Sequence, residues 1–190
     1  MEHPILPLPH ETQRLILRSP SPAYAAAIQE AVEESFAELH PWMPWAARLQ
    51  SLDESKAYLE RSEALFHSGE DFAVSGFLRD SGQFALGAGL HVRSWNVPKF
   101  EIGYWCRTSL QRRGYTTEAV TALTQIAFSQ MGAMRVEIRC NSRNQRSRLV
   151  AERAGFRLEA ELRSDDRAND GSLRDTIIYA LYSAQVLARD

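Results

Sequence analysis

The sequence predicts an α/β (α+β) fold in which a mixed, mostly antiparallel central sheet of about seven strands is flanked by about four helices. Three observations support this fold class. Short stretches that are apolar or alternate in polarity are interspersed with longer stretches in which apolar residues recur at helical spacing. Residues 80–82, Asp-Ser-Gly, form a hairpin turn between two consecutive strands, which favours antiparallel pairing. No repeat or linker divides the 190 residues, so we expect one domain over 1–190, of which 1–13 is a leader that is poorly structured or packed at an edge.

The first half of the chain contains three predicted strands and two predicted helices. Ser51 and Glu54 have the spacing of a capping box, so they begin the second helix, and Gly69 ends it. Pro41 and Pro44 prevent the first helix from continuing beyond about residue 39. The strands are predicted at 14–19, 72–79 and 84–92, and the helices at 22–39 and 51–69.

The second half of the chain alternates strands with helices. Gly132 and Gly155 each follow an amphipathic stretch, and we expect each to end a helix. Residues 165–172 are polar and predict a turn region. The strands are predicted at 100–106, 135–140, 156–162 and 176–181, and the helices at 117–131 and 144–154.

Composition and charge exclude several classes of function. No apolar run approaches the roughly 20 residues of a membrane span, and the N-terminus lacks the basic segment of a signal peptide. Cys106 and Cys140 are the only cysteines, which favours reduced thiols in a cytoplasmic protein. The net charge is −2, but residues 101–160 hold 10 Arg and 5 Glu, so we expect a polyanionic ligand there. Nucleic acid is not the expected partner, because no motif combining aromatic and basic residues occurs, and no spacing of histidines indicates a metal site.

The chain is organised around residues 101–117, where an apolar, aromatic strand leads through a short basic loop into a helix expected to begin at Thr116 and Thr117. Free backbone N–H groups at a helix start, together with the positive end of the helix dipole, favour a bound phosphate. Gly114 lets the backbone approach a ligand closely, and Arg112 and Arg113 add positive charge. Taken alone, the pattern also fits an ordinary strand–loop–helix connection.

Three motifs in this order resemble those of the GNAT superfamily of N-acetyltransferases. Residues 111–116, Gln-Arg-Arg-Gly-Tyr-Thr, are similar to the acyl-CoA loop of that family, Gln/Arg-x-x-Gly-x-Gly/Ala. Residues 144–147, Asn-Gln-Arg-Ser, begin a helix that ends in Gly-Phe and resembles the Asn-x-x-Ser helix of the family. Residues 101–105 resemble the strand before the loop.

Two further segments resemble one subgroup of that superfamily, which acetylates the N-termini of ribosomal proteins. Residues 40–45, His-Pro-Trp-Met-Pro-Trp, look like its substrate loop, and residues 171–182 look like its closing segment. The resemblance covers nearly the whole chain from Arg14. It implies a single GNAT-like domain.

The resemblance implies that acetyl-CoA is the co-substrate and that no metal is needed. The loop would hold the pyrophosphate, and the pantetheine would lie along the preceding strand as an extra strand does. Thr116 departs from the family pattern, which has Gly or Ala there; its hydroxyl could cap the helix, and its bulk could narrow the phosphate cradle. The expected cofactor-binding residues are Tyr104, Cys106, Gln111, Arg112, Arg113, Gly114, Tyr115, Thr116, Thr117 and Asn144.

The implied reaction is direct attack of an amine on the thioester, so the amine must first lose a proton. Glu101 is the first candidate for the base, because it lies on the strand beside the expected thioester; the alternative is a carboxylate paired with an arginine. Ser147 is the candidate that protonates or hydrogen-bonds the leaving thiolate, unless it only bonds the helix backbone. His91 could substitute as the base, although a satisfied core or rim histidine is the preferred interpretation. Trp42 and Trp45 are expected to bind substrate or to cap the core.

The expected function is transfer of an acetyl group to a primary amine, most readily the N-terminal α-amine of a protein or peptide. An α-amine has a pKa of about 7.7–8.0, against about 10.4 for a lysine amine, so it loses its proton more easily. One alternative acceptor is a small-molecule amine such as an antibiotic, a polyamine or an amino acid. A second alternative is a catalytically silent acyl-CoA-binding module. We expect no nucleic-acid or membrane partner, and a homodimer is left open.

Overall fold

The computed structural model describes residues 3–183, and within this range the chain forms eight strands and four α-helices. The strands are β1 (His10–Glu11), β2 (Leu15–Arg18), β3 (Phe72–Leu78), β4 (Phe84–Ser94), β5 (Lys99–Cys106), β6 (Arg135–Asn141), β7 (Arg157–Arg167) and β8 (Leu173–Tyr182). The helices are α1 (Ala25–Leu39), α2 (Leu52–Ser68), α3 (Tyr115–Ser129) and α4 (Gln145–Arg153).

The strands form one mixed sheet in the order β1-β2-β3-β4-β5-β6-β8-β7. Every neighbouring pair is antiparallel except β5 and β6, which run parallel. The predicted fold class is therefore confirmed, with one strand more than the expected seven. The additional strand is β1, whose two residues are too few to show any periodicity in the sequence.

The parallel pair β5 and β6 separates after three residue pairs. Lys99, Phe100 and Glu101 of β5 pair with residues 135–137 of β6, and no pairing follows. On its other side β6 stays paired with β8 from Arg135 to Asn141, so it cannot follow β5. The backbone of β5 beyond Glu101 therefore has an open edge, which faces a gap in the middle of the sheet.

Local sequence signals set the ends of the helices. The capping box is confirmed, since the Ser51 hydroxyl accepts from the Glu54 amide and the Glu54 carboxylate accepts from the Ser51 amide. Gly69 ends α2 in the left-handed conformation, at φ 74°. The predicted start of α3 at Thr116 and Thr117 is wrong by one residue, because the first helical residue is Tyr115. Gly114 precedes it, and no side chain caps this end of the helix.

A continuous core joins the sheet to the helices. Phe72, Phe100 and Ile138 from the strands pack with Val120 and Leu123 from α3, and all of them are almost fully buried. Burying a side chain of this size stabilises the fold by about 1.5–3 kcal/mol. The apolar residues that recur along α3 thus pack this helix against the sheet, which also holds the loop before it in place.

Residues 165–172 differ from the expected turn region, and the expected leader contains the edge strand β1 and one buried residue. Residues 165–172 do not form one long turn, because β7 extends to Arg167 and β8 begins at Leu173. Charged residues are tolerated in β7 since it is an exposed edge strand, where an Arg174–Asp166 ion pair can form across to β8. Leu6, within the expected leader, is buried at 1% exposure.

Candidate active site

The basic loop forms a turn of backbone that opens onto the start of α3. Arg112 and Gly114 both have positive φ, 62° and 84°. The amides of Tyr115, Thr116 and Thr117 lie in the first helical turn, where no helical carbonyl is available to accept from them. Because no side chain caps this end either, the amides and the helix dipole are free to bind an anionic group. The geometry fits a pyrophosphate.

Arg14, which sequence reasoning missed, holds this loop in place. Its Nη1 donates to the Arg113 carbonyl at 2.9 Å, and its Nε donates to Glu118 Oε2 at 2.7 Å. Glu118 also accepts from the Thr12 hydroxyl at 2.6 Å. Burial raises the pKa of Glu118, but the hydrogen bonds from Thr12 and Arg14 outweigh it, so the pKa lies below its ordinary value. No sequence signal links positions 14 and 118, since they meet only across the fold.

The connection from β5 to the loop is tied to α1. Arg107, only 8% exposed, donates to Glu30 and to Glu34 at 2.5 Å each. Glu34 also accepts from the Ser109 amide at 2.7 Å. Burial raises the pKa of Glu34, yet the bonds from Ser109 and Arg107 together leave it below its ordinary value. Two carboxylates thus compensate the buried guanidinium and fix the path of the chain into the loop.

The predicted residues of the loop have different environments. Arg112 and Arg113 are exposed, so their guanidinium groups can pair with phosphate. Gln111 Oε1 accepts from Arg146 Nη1 at 3.1 Å, which links the loop to α4. Burial raises the pKa of the Cys106 thiol, and contact with the Thr116 hydroxyl offsets part of that rise. Thr116 therefore faces the end of β5 and does not cap the helix.

Tyr104 and Ser147 meet across the gap between β5 and β6. Their hydroxyl oxygens are 2.9 Å apart, and the Tyr104 hydroxyl also donates to the Ser147 carbonyl at 3.0 Å. Asn144 begins α4, and its Oδ1 accepts from the Ser147 amide at 3.1 Å. Burial raises the pKa of Tyr104 well above its usual range, so its hydroxyl stays protonated. This structure brings together all three of the residues that the sequence predicted for this end of the site.

A cavity of about 300 Å³ lies beside β4 and β5. Aromatic side chains form much of its wall, with the ring centroids of Trp45 and Trp105 5.8 Å apart. Gly87 makes room for Trp105, because a Cβ at position 87 would lie 2.3 Å from the indole Nε1. Met43, from the same loop as Trp45, also lines the cavity, whereas Trp42, which was expected to bind substrate, lies outside the lining.

His91 and Glu101 are directly opposite each other on β4 and β5. His91 lines the cavity, and its Nδ1 lies 2.7 Å from Asp71 Oδ1. Glu101 lies outside the lining, and its Oε2 accepts from Arg93 Nε and Nη2 at 3.0 and 2.7 Å. The role of Glu101 as a base stays a prediction. The alternative interpretation expected this carboxylate to pair with an arginine, and Arg93 is such a partner.

Among residues 3–183 no group of three or more His, Cys, Asp or Glu side chains is placed to hold a metal ion. Within the same range, no helix combines the length and the apolar character that crossing a membrane requires.

Comparison with known proteins identifies the family. Residues 14–157 match the family model described as "Acetyltransferase (GNAT) domain". A relative from Bacillus subtilis (strain 168), YdaF, provisionally named a ribosomal N-acetyltransferase, is 27% identical over 169 residues, which cover 89% of this chain and 91% of the relative.

Solved structures show the same fold. RimL, described as a ribosomal L7/L12 alpha-N-protein acetyltransferase in complex with coenzyme A, has a TM-score of 0.83 at 24% identity, covering 94% of this chain and 97% of its own. The microcin C7 self-immunity acetyltransferase MccE, in complex with acetyl-CoA and AMP, has a TM-score of 0.82 at 22% identity, covering 90% and 93%. An acetyltransferase from Salmonella typhimurium, described as modifying the N-terminal serine of ribosomal protein L7/L12, has a TM-score of 0.79 at 24% identity, covering 94% and 98%. The loop before α3, the open edge of β5 and the Tyr104–Ser147 pair are suited to acetyl-CoA. Because the family model also spans most of the chain, the protein belongs to the GNAT acetyltransferase family and is an acetyl-CoA-dependent N-acetyltransferase.

Proposed function

We propose that this acetyltransferase acts on the N-terminal α-amine of a protein or peptide in the cytoplasm. The observation that carries the proposal is the chemistry of the cavity beside β4 and β5. None of its lining side chains, all within residues 3–183, is an aspartate or a glutamate. A polyamine or an aminoglycoside carries several positive charges and needs carboxylates to bind, whereas the end of a peptide presents one amine and a side chain.

The size and position of the cavity support the same acceptor. At about 300 Å³ it is at the small end of ligand pockets, so it suits one or two residues rather than a whole folded partner. Trp45 at its rim is 40% exposed, so the wall reaches the surface where the rest of a peptide would continue. RimL is described as an alpha-N-protein acetyltransferase and the Salmonella protein as modifying an N-terminal serine, which are acceptors of the same class.

The roles proposed for the remaining site residues follow the geometry. The amides of residues 114–117, with Arg112 and Arg113, bind the phosphates of acetyl-CoA. The open edge of β5 near Tyr104 and Cys106 pairs with the amide groups of the pantetheine, beside Asn144. Ser147 hydrogen-bonds or protonates the thiolate that leaves.

A panel of acceptors tests the proposal through release of the coenzyme A thiol. The panel holds a peptide with a free N-terminal serine and an internal lysine, the same peptide with its α-amine blocked, spermidine, and an aminoglycoside. We expect turnover of the free peptide and an increase of 42 mass units at its first residue. The blocked peptide is the matched control, since it retains the lysine amine and every side chain.

Two outcomes would contradict the proposed acceptor. Turnover of the blocked peptide at the rate of the free one would place the reaction on a side-chain amine. Turnover of spermidine or the aminoglycoside, with none of either peptide, would make the protein a small-molecule acetyltransferase.

A further inference from the structure

His91 is placed and oriented as a proton acceptor at the wall of the cavity. In the neutral imidazole, a proton on Nδ1 can be donated to the Asp71 carboxylate 2.7 Å away, and the lone pair is then on Nε2. Asp71 lies between α2 and β3, so it reaches the imidazole from outside the strand that carries His91. The side chains of His91 and Asp71 are 35% and 31% exposed, so protons can exchange with solvent.

Two glycines bring Nε2 close to the open edge of β5. Gly89 and Gly103 are register partners on β4 and β5, and the imidazole lies over both. A Cβ would lie 2.6 Å from Nε2 at Gly89 and 3.1 Å from it at Gly103, so neither position leaves room for a side chain beneath the ring. Gly103 is two residues beyond Glu101, the last residue of β5 that pairs with β6. His91 Nε2 therefore lies over β5 at Gly103, just beyond the point where β5 and β6 separate.

We propose that His91, positioned by Asp71, is the base that removes a proton from the acceptor amine. The proposal rests on the amine acceptor of the proposed function. Glu101 is less suited to this step, because its carboxylate already accepts two hydrogen bonds from Arg93 and lies outside the cavity lining.

The proton and electron balance of the step is complete. His91 Nε2 accepts one proton from the ammonium group, and the nitrogen lone pair then forms a C–N bond to the thioester carbonyl carbon. The C–S bond breaks with its electron pair on sulfur. Ser147 gives its hydroxyl proton to that sulfur and regains one from the amide nitrogen, so the products are the N-acetyl amide and the free thiol. His91 returns its proton to solvent.

His91→Gln is the first test, measured as kcat against pH with the acceptor that the wild-type protein turns over. We expect kcat to fall about 10²-fold at neutral pH, with the Kd for acetyl-CoA unchanged. The rate of the variant should climb towards that of the wild type as the pH rises, because the acceptor then loses its proton without a base. His67→Gln is the matched control, since His67 is an exposed histidine on α2 that does not line the cavity.

Two further variants, Glu101→Gln and Asp71→Asn, distinguish His91 from Glu101 as the base. The titratable and charged groups around His91 are Asp71, Glu101 with its partner Arg93, and, in the cavity lining, Arg48, Tyr58 and Tyr104. We expect kcat of Glu101→Gln to fall towards low pH as in the wild type, so that this variant keeps the acid limb of the pH profile. We expect Asp71→Asn to lower kcat about tenfold and to displace that limb, since the amide lacks the carboxylate charge and can turn its NH2 group towards Nδ1.

The outcomes separate this proposal from the proposed function. If His91→Gln keeps kcat within about threefold, or if Glu101→Gln abolishes the acid limb instead, His91 is not the base. If His91→Gln does not fold, Asp71→Asn decides, and an unshifted acid limb in that variant would overturn the proposal. Failure of the wild-type protein to acetylate any peptide concerns the acceptor alone, because the histidine test uses whichever amine is turned over.

Discussion

The hydroxyl groups of Tyr104 and Ser147 are 2.9 Å apart and connect β5 to α4 across the gap in the sheet. Since burial keeps Tyr104 protonated, the tyrosine can only share a proton with the serine and cannot take one away as an anion. In the proposed reaction Ser147 hydrogen-bonds or protonates the leaving thiolate, and the Tyr104 hydroxyl holds the Ser147 hydroxyl in place.

The first prediction concerns this serine. Ser147→Ala should lower kcat about 10²-fold while leaving the KM for acetyl-CoA within about threefold, because the hydroxyl acts in the transition state and contributes little to binding. Steady-state kinetics with varied acetyl-CoA measure both constants. Ser129→Ala, at an exposed serine near the end of α3, is the control. A larger KM with unchanged kcat would show that Ser147 only binds the co-substrate.

The second prediction separates backbone strain from ligand binding in the loop. Gly114 and Gly82 have similar positive φ, 84° and 70°. Replacing either by alanine should destabilise the fold by about 1 kcal/mol, because an L-residue is strained there. Only Gly114→Ala should also weaken acetyl-CoA binding, by about tenfold, since Gly114 belongs to the loop before α3 whereas Gly82 belongs to the hairpin turn between β3 and β4. Thermal unfolding and calorimetric titration of both variants check this, and equal affinities would contradict it.

The third prediction concerns Glu118, which anchors Arg14 and through it the loop. Its pKa is lower in the folded protein than in the unfolded chain, so the stability it supplies is present above the unfolded value of about 4.3. That stability is lost as the pH falls through the lower folded value. Glu118→Gln should therefore be less stable than the wild type by about 1 kcal/mol at pH 7, with a difference that shrinks in acid.

Urea unfolding at several pH values measures this difference. Glu60→Gln, at an exposed position of α2, is the control and should match the wild type at every pH. A stability difference between Glu118→Gln and the wild type that does not change with pH would show that the carboxylate charge is not what holds Arg14.

The fourth prediction concerns the cavity. Gly87→Ala should displace the Trp105 indole, because the added Cβ would lie 2.3 Å from its Nε1. We expect the KM for the acceptor to rise about tenfold with unchanged affinity for acetyl-CoA. Leu49→Ala, at an exposed residue of the loop that carries Trp45, is the control because Leu49 does not line the cavity. Equal acceptor KM values in Gly87→Ala and the wild type would remove Trp105 from the acceptor site.

Much of the fold could be predicted because its signals are local. The capping box at Ser51 and Glu54, the left-handed glycine at 69 and the hairpin at 80–82 each depend on a few neighbouring residues, and each is present as expected. The predictions that failed lie where local signals are weak. β1 has only two residues, and α3 begins at Tyr115 because the left-handed Gly114, rather than a threonine hydroxyl, ends the loop.

By itself the sequence determined the fold class and the family. It also predicted the segments that bind acetyl-CoA, since residues 111–117 and 144–147 are contiguous motifs. Only the tertiary structure decided which residues far apart in the sequence meet at the site. Arg14 meets Glu118 and the loop, and Asp71 meets His91, through contacts between residues 20 or more positions apart. Such pairs leave no periodic signal, because side chains on separate strands and helices approach each other only once the sheet has set their positions.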